Sequence, residues 1–450
     1  MKKSFLKIQS SKILFCLLFS GALVSCIETK TIFNALKSGV PNAFDYTSGK
    51  EHFVSFPKSN TPFEFPKSQK VDFLKGRTLK IGNKPAQNLE AFLENSKALS
   101  FLVIQNDSIV FEKYYNGADQ NTTSNVFSVS KSYVAFTLAI AVEKGYLKMD
   151  DKVLKFFPEL SGKIHPNLTV KNLIDMRAEF DYDETPLGTL GRPMMILYSP
   201  DIDYQVLKGI KTLAEPDTYY HYNSNATHLT SMIIAKATGV PFTQFFKENL
   251  WDKLQMEHEG GWQTDEKGVA KGFCCFHLTA LDEAKIGKVL LDKGVWRGEQ
   301  LIPRWFVDQI TTNNDWQSGY YYSLSVRNNT IKIPMELWDG KTPEGARKGV
   351  KGQEIIKDNK HYMSFPLEDS DFYLEGFMAN NVYVHPRTKS IIVRMGSNAV
   401  DYYSTPWPLV YRAIALGQDS IPNEKLFVSS PHVPVVNGEP TLKKGYKLPD

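Results

Sequence analysis

The chain has few cysteines: four in 450 residues, at positions 16, 26, 274 and 275. Adjacent cysteines rarely pair because a bond between them strains the intervening peptide, so no disulfide framework is expected. The pair at 274 and 275 lies between Phe273 and Phe276, and no Cys-x-x-Cys spacing or nearby histidine cluster accompanies it. We therefore predict that both are core residues rather than zinc ligands.

An excess of charge of one sign is also lacking. The formal net charge of +4 includes Lys2, Lys3, Lys7 and Lys12, all within the first 25 residues, so the remainder is formally neutral. This balance gives no support to electrostatic nucleic-acid binding. With 42% hydrophobic and 23% charged residues, the chain has the composition of a globular protein, which argues against disorder.

Several catalytic motifs are missing. The sequence has no Gly-x-Ser-x-Gly elbow, no Walker or dinucleotide glycine pattern and no His-Glu-x-x-His metal motif. His221 and His228 lie seven residues apart without acidic ligands at metal spacing. We therefore expect neither a metal nor an organic cofactor.

The first 25 residues have the pattern of an export signal, in which lysines precede an apolar stretch from Ile13 to Leu23 that is too short for an ordinary membrane span. The boundary Leu23-Val24-Ser25-Cys26 resembles a bacterial lipobox, which predicts cleavage and lipidation of Cys26. A plain signal peptide with an incidental cysteine is the alternative. On the first interpretation the protein is exported to the cell envelope and anchored in a membrane as a lipoprotein, periplasmic or on the outer surface.

Patterning divides the rest of the chain. Residues 26–90 are interpreted as a tether and N-terminal arm, residues 91–420 as the main domain with a mostly helical subdomain at about 146–270, and residues 421–450 as a C-terminal extension. Apolar runs at 101–104 and 109–111, joined by Asn106-Asp107, predict a β-hairpin. Runs at 372–377, 382–385 and 390–395 predict an antiparallel meander, while 328–370 carries no clear pattern.

Three helix predictions matter for the site. Residues 128–144 are apolar on nearly every side and end at Gly145, which predicts a helix buried in the centre of the domain. A second helix is expected to begin at Asn225, as its N-cap, and to end before Gly239. A third is predicted from Ala280 to Leu291.

Ser128-Val129-Ser130-Lys131 places a hydroxyl and an amine three residues apart at the start of the buried helix, so both side chains project from one face. Burial disfavours the charged form of Lys131 and lowers its pKa, which allows the amine to accept the proton of Ser128. The helix N-terminus supplies backbone N–H groups that stabilise an oxyanion beside Ser128. The turn therefore has the parts of a serine hydrolase.

From these residues the chain resembles the serine β-lactamase-related hydrolases, which include class C β-lactamases and penicillin-binding proteins. The resemblance rests on residues 127–132 (Phe-Ser-Val-Ser-Lys-Ser), 156–160 (Phe-Phe-Pro-Glu-Leu) and 169–176 (Thr-Val-Lys-Asn-Leu-Ile-Asp-Met), and extends over about 98–400. Residues 251–254 and 272–287 are most similar to the 6-aminohexanoate-dimer hydrolase branch. The resemblance implies an α/β (α+β) fold with a central antiparallel sheet, flanking helices and a mostly helical subdomain.

The resemblance also assigns a second motif, usually Tyr-x-Asn, to Tyr222-Asn223-Ser224. It implies that Tyr222, partly as phenolate beside the lysine, relays a proton to the leaving group, and that the Ser224 hydroxyl hydrogen-bonds into the site. Tyr219 and Tyr220 are rivals for this role, and a packing role for Tyr222 is the alternative. Arg177 and Glu179 are placed in a loop bordering the cleft, with solvated surface as the preferred interpretation.

The third motif of the family, Lys-Thr-Gly, corresponds to Leu374-Glu375-Gly376-Phe377. Gly376 would let the backbone approach the substrate, and the N–H of Phe377 would be a second oxyanion donor; a plain edge strand is the alternative. The cation that binds a substrate carboxylate is missing from this motif, which argues against efficient recognition of β-lactams or peptides with a free carboxylate.

The sequence thus predicts a serine hydrolase that cleaves an amide or ester bond of a small molecule or short peptide through an acyl-enzyme on Ser128. The alternatives are a non-catalytic binding or sensor lipoprotein and a penicillin-binding-type peptidase acting on cell-wall peptides.

Overall fold

The computed structural model describes residues 26–38, 41–48, 51–69, 73–182, 184, 191–218, 220–312, 322–357, 360–399 and 405–421. The predicted leader, Tyr219 and the predicted C-terminal extension beyond Ile421 lie outside these ranges.

Helices and strands alternate along the described chain. The α-helices are α1 Cys26–Ser38, α2 Asp45–Ser48, α3 Leu89–Asn95, α4 Val129–Glu143, α5 Val153–Phe156, α6 Val170–Ile174, α7 Arg192–Leu197, α8 Ile202–Gly209, α9 Ser224–Thr238, α10 Phe242–Phe246, α11 Ala280–Leu291, α12 Arg304–Thr312 and α13 Trp407–Ala415. The strands are β1 His52–Phe56, β2 Thr78–Ile81, β3 Gln87–Asn88, β4 Ala98–Gln105, β5 Ser108–Tyr114, β6 Ser124–Asn125, β7 Gly260–Thr264, β8 Phe276–Leu278, β9 Val295–Trp296, β10 Glu299–Gln300, β11 Tyr322–Ser323, β12 Val326–Asn328, β13 Thr330–Pro334, β14 Gln353–Lys357, β15 Lys360–Pro366, β16 Phe372–Gly376, β17 Asn380–His385, β18 Ser390–Gly396 and β19 Ser420–Ile421.

The central element is a seven-stranded antiparallel sheet with the order β11-β12-β16-β17-β18-β4-β5. The predicted hairpin is confirmed as β4 and β5, and both residues of its turn, Asn106 and Asp107, have positive φ, as a tight hairpin turn requires. The predicted meander is confirmed as β16, β17 and β18. This sheet confirms the expected fold class.

Side chains of this sheet alternate between two cores, because successive residues of a strand point to opposite faces. Leu102 and Ile104 of β4 belong to the core that contains α4 and α11. Phe101 and Val103 of the same strand belong to the core that contains α3 and α13. Helices therefore cover both faces of the sheet.

Helix α4 confirms the prediction of a central buried helix. Every residue from Val129 to Ala141 is buried, and the helix is followed by Gly145 with φ of +79°. A helix that is apolar all round is stable only when surrounded by protein, and α4 packs against α9 and β16. Its N-terminus thereby lies between the helical region and the large sheet.

The N-terminal arm is more integrated than the interpretation as a tether implies. Strand β1 pairs with β7 in a second antiparallel sheet of order β1-β7-β8-β6. Phe56 at the end of β1 is fully buried and stacks edge-on against Phe246 and Phe276. Weak periodicity concealed this strand because only one end of it enters the core.

Two further predictions are corrected. The N-cap of α9 is Asn223, not Asn225, since the Asn223 side chain accepts hydrogen bonds from the backbone N–H groups of Asn225 and Ala226. Gly239 ends this helix in the left-handed conformation, as predicted. Residues 330–366, which carry no clear pattern, form a three-stranded sheet of order β13-β15-β14 with its own small apolar core.

The prediction that Cys274 and Cys275 do not pair is also corrected. Both are buried as predicted, but they are bonded to each other. Cys275 has φ of +70°, and this turn brings the two side chains together. The expectation from sequence was that adjacent cysteines do not pair, because the bond strains the peptide between them.

Candidate active site

Ser128 is the N-cap residue of α4, at the point where the chain leaves β6 and turns into the helix. Phe127 immediately before it has φ of +48°, a conformation rare for a bulky residue and typical of functional turns. The turn is held by Asn125, whose side chain accepts a hydrogen bond from the Phe127 N–H at 2.8 Å. The Ser128 side chain is therefore presented on a constrained turn at a helix N-terminus.

Lys131 lies one turn further along α4 and is 2% exposed. Its Nζ lies 3.1 Å from Ser128 Oγ and donates a hydrogen bond to the carbonyl oxygen of Phe273 at 2.8 Å. Burial lowers the pKa of Lys131 to about 8, because a charged amine loses solvation in the interior. About a tenth of this amine is then unprotonated at pH 7, far more than for an ordinary lysine.

Tyr222 completes the group from the start of α9. Lys131 Nζ is 4.9 Å from the centroid of its ring, and the phenol hydrogen-bonds with Ser128. The structure thus brings Ser128, Lys131 and Tyr222 together, as the sequence predicted.

The protonation state of Tyr222 differs from the expectation. Burial and the nearby Glu184 carboxylate raise the pKa of Tyr222 above its ordinary value, although the hydrogen bond with Ser128 and the Arg327 guanidinium act in the opposite direction. Tyr222 is therefore a neutral phenol at neutral pH rather than partly a phenolate. It can donate a proton, while Lys131 is the group able to accept one.

Gly376 brings the end of β16 against the turn that carries Ser128. A Cβ atom at this position would lie 2.1 Å from the carbonyl oxygen of Val126 and 3.3 Å from Ser128 N, so only glycine permits this approach. The rings of Phe377 and Phe127 pack edge-on with centroids 5.6 Å apart. The two segments predicted to contribute oxyanion donors, at Ser128 and Phe377, are therefore neighbours.

Ser224 is buried in the first turn of α9, next to a residue that the sequence did not single out. Its hydroxyl and backbone N–H both donate to the carboxylate of Glu184. Burial raises the pKa of Glu184, while Lys131 and the hydrogen bonds from Ser224 act to lower it. Glu184 follows Asp181 and Asp183 in a short acidic run, and no spacing in that run distinguishes it from solvated surface.

A cation lies beside Glu375, although the third motif itself carries none. Arg327 on β12 forms an ion pair with Glu375 at 2.7 Å. Its guanidinium carbon lies 5.7 Å from the centroid of the Tyr222 ring. The charge comes from the neighbouring strand, about fifty residues earlier, so a search of the motif itself could not find it.

Arg177 and Glu179 are not solvated surface, which corrects that expectation; each is 1% exposed. Arg177 bonds the carboxylate and carbonyl oxygens of Asp217, and Glu179 accepts from the Thr218 N–H at 3.0 Å. Both residues join their own loop to the loop at 217–218, which leads to Tyr222. The polar character of the two side chains did not indicate this role.

The two histidines near Tyr222 contact different parts of the chain. The backbone N–H of His221 donates to the carbonyl of Met176 at 2.8 Å, whereas the His228 ring contacts Asp203 at 2.8 Å. Across the residues that the structure describes, no group of three or more histidines, cysteines, aspartates and glutamates is arranged to hold a metal ion.

A sheet covered by helices on both faces, a serine and a lysine one turn apart and a facing tyrosine form the arrangement that the resemblance to the β-lactamase-related hydrolases implies. The chain contains a beta-lactamase family domain: the family profile matches residues 86–268. Within the described ranges no helix has both the length and the apolar character needed to cross a membrane.

Among its relatives is the 6-aminohexanoate-dimer hydrolase of Paenarthrobacter ureafaciens, which is 22% identical over 325 residues, or 69% of this chain and 75% of that protein. The D-alanyl-D-alanine-carboxypeptidase/endopeptidase AmpH of Escherichia coli K12 is 23% identical over 168 residues, or 35% of this chain and 44% of AmpH. A solved structure from Bacillus anthracis, described provisionally as a 6-aminohexanoate-dimer hydrolase, shares the fold with a TM-score of 0.63 and 18% identity, over 83% of this chain and 92% of that one. These relatives support a hydrolase.

Proposed function

We propose that this protein is a serine hydrolase that cleaves an amide or ester bond of a small molecule or short peptide through an acyl-enzyme on Ser128. The observation that carries the proposal is the Lys131 amine, buried, with its pKa lowered to about 8 and lying 3.1 Å from Ser128 Oγ. An amine in this state can take a proton that an ordinary surface lysine would not accept at neutral pH.

The proposed reaction has two steps. Unprotonated Lys131 accepts the proton of Ser128 as Oγ attacks the substrate carbonyl, and the N–H groups at 128 and 377 stabilise the oxyanion. The bond to the leaving group then breaks as the Tyr222 phenol donates a proton to it, and the phenol recovers a proton from the Lys131 ammonium. Water attacks the acyl-enzyme by the reverse proton transfers, which releases the acid and restores Ser128. No cofactor takes part.

A fluorophosphonate probe tests the nucleophile directly, since it forms a covalent bond with an activated serine. We expect wild-type protein to label and Ser128→Ala not to label. Ser130→Ala is the matched control, because Ser130 lies in the same turn but its hydroxyl donates to the Phe127 carbonyl at 2.6 Å. An unlabelled wild type, or equal labelling of Ser128→Ala, would contradict the proposal.

The substrate class is tested by comparing short-chain esters, short amides and a chromogenic cephalosporin. Because Glu375 pairs with Arg327 beside Tyr222, we expect neutral esters and amides to be the better substrates. Efficient cephalosporin turnover would contradict this preference. Capture of labelled penicillin at Ser128 would favour the peptidase alternative, whereas labelling without hydrolysis of any substrate would favour a binding or sensor lipoprotein.

We also propose that the protein is exported and anchored in the cell envelope through lipidated Cys26. The support is the leader pattern ending at Cys26. Metabolic labelling with an alkyne fatty acid should mark the wild type, and Cys26→Ala should lose the label. Retention of the label by Cys26→Ala would show that the cysteine is not the acceptor.

A further inference from the structure

Strand pairing explains why Arg327 and Glu375 meet. Arg327 of β12 lies opposite Tyr373 of β16 in the antiparallel register. Glu375 is two residues further along β16, so its side chain leaves the same face as Tyr373 and is a diagonal neighbour of Arg327. The two side chains form an ion pair at 2.7 Å, with only 12% of the arginine and 3% of the glutamate side chain exposed.

The pair lies between two parts of the candidate active site. On one side the guanidinium carbon is 5.7 Å from the Tyr222 ring centroid and 5.1 Å from that of Tyr322. On the other side Glu375 directly precedes Gly376, the residue that approaches Ser128 N. A planar guanidinium can stack on aromatic rings while its edge binds a carboxylate, so one residue contacts both parts.

We propose that the Arg327–Glu375 pair is a positioning element of the active site: it holds the Tyr222 ring beside Lys131 and joins that ring to the strand carrying Gly376. This inference rests on the proposed function and extends it, since the resemblance to the family assigns no role to either residue. Arg327 acts through Tyr222 and Lys131, without contact with the reacting atoms.

The charges around the site agree with this role. Arg327 lowers the pKa of Lys131 and of Tyr222, while Glu184 raises both. A guanidinium near an amine disfavours protonation of the amine, and the Glu375 carboxylate offsets part of the guanidinium charge. The groups that face the pair or Lys131 are Glu184, Tyr220, Tyr222, Tyr322, Lys332 and Tyr373.

The experiment measures kcat, KM and the pH dependence of kcat/KM on a p-nitrophenyl ester for Arg327→Met, Glu375→Gln, the double variant and Arg327→Lys. The rate of fluorophosphonate labelling at Ser128 is followed in parallel. Arg77→Met is the control: it removes another arginine that is paired with a carboxylate, that of Asp419 at 3.0 Å.

We expect Arg327→Met to lower kcat more than it raises KM. The limb of the pH profile, where kcat/KM rises with pH as Lys131 loses its proton, should move to higher pH by about 0.5–1 pH unit. Glu375→Gln should move the limb downward, and the double variant should return it toward the wild-type position. Arg327→Lys should keep the wild-type limb, because the charge remains, but not the full kcat. Opposite shifts are expected of two charges acting on one amine and are not expected of a general loss of stability.

The positioning role is overturned if both single variants leave the limb unmoved or shift it in the same direction. It is also overturned if Arg327→Met mainly raises KM for an ester bearing a free carboxylate, since Arg327 would then bind substrate. Failure of the proposed function is distinguishable, because the wild type itself would then not label at Ser128. If the wild type labels at Ser128 but Arg327→Met and Glu375→Gln both keep the wild-type pH profile, the positioning role alone is overturned.

Discussion

Two buried lysines, one on α4 and one on α11, show how the same side chain is used differently in two regions of the molecule. Lys131 is 2% exposed and Lys285 is fully buried. The hydrogen bonds of Lys131 join it to the Phe273 carbonyl and to Ser128. Lys285 instead contacts the carboxylates of Asp282 at 2.9 Å and Glu257 at 3.3 Å.

The difference in partners decides what each amine can do. A buried lysine that is ion-paired with carboxylates links the elements that carry its partners. A buried lysine whose hydrogen bonds go to neutral acceptors loses solvation without an equal gain and becomes a base. Burial alone therefore does not indicate catalysis; burial beside a nucleophile does.

The largest expected effect is on Lys131. In Lys131→Met the methionine fills a similar volume but has no basic group, so kcat/KM should fall by about 10³-fold or more. The folded state should be no less stable, because a poorly solvated amine has been removed. Activity assays and thermal unfolding of the same preparation check both expectations. A variant that retained a tenth of wild-type activity would remove Lys131 from the mechanism.

The opposite outcome is expected for Lys285. Lys285→Met leaves the buried Asp282 carboxylate without its ammonium partner, so the free energy of unfolding should fall by about 3–5 kcal/mol. The activity per folded molecule should remain close to that of the wild type. Urea unfolding measures the loss, with Lys155→Met as the control, since the Lys155 side chain is 54% exposed in its pair with Asp151 and the pair should contribute less than about 1 kcal/mol. Equal losses in the two variants would contradict the comparison.

Glu283, also on α11, is a third kind of buried ionisable residue. It is fully buried, neither carboxylate oxygen has a hydrogen-bond partner among the described residues, and burial raises its pKa to about 8. The unfolded chain ionises this group above about pH 4.5 while the folded protein keeps it protonated up to about pH 8, so stability should fall as pH rises across this range.

Glu283→Gln should therefore gain about 2–4 kcal/mol of stability over the wild type at pH 8 and almost none at pH 4. Unfolding measured by chemical denaturant at both pH values tests this. A gain of the same size at both pH values would mean that packing, not ionisation, is responsible.

The smallest effect is the pH dependence of the wild-type enzyme. Because Lys131 must be unprotonated to act as the base and its pKa is about 8, kcat/KM should rise about tenfold per pH unit below pH 8 and level off above it. A profile that falls as pH rises through 8 would contradict the assignment of Lys131 as the base.

Local pattern was sufficient for the parts of the site that share one element. The apolar surface of α4 predicted its burial, and its burial predicted the lowered pKa of Lys131. The helix end at Gly239 and the hairpin turn at Asn106 were predictable for the same reason, since each depends on the backbone conformation of a few neighbouring residues. The N-cap was predicted two residues too late, at Asn225 instead of Asn223, because both positions carry asparagine, a residue that commonly caps helices.

Contacts between distant segments were not predictable. Arg327 lies in a three-residue strand, and nothing in residues 326–328 indicates that Glu375 will be its partner. Glu184 resembles a solvated acidic residue until the fold places Ser224 against it. The buried state of Arg177 likewise depends on Asp217, forty residues later.

By itself the sequence determined the buried helix, the hairpin and the position of a serine and a lysine one turn apart, because these follow from periodicity and from hydrogen bonds between near neighbours, while the fold class followed from the resemblance to a family. Only the tertiary structure decided the charges that surround that turn, the neutral state of Tyr222 and the pairing of Arg327 with Glu375. The physical reason is that solvation and electrostatic interactions depend on distances through space, and those distances exist only once the helices have packed against the sheet.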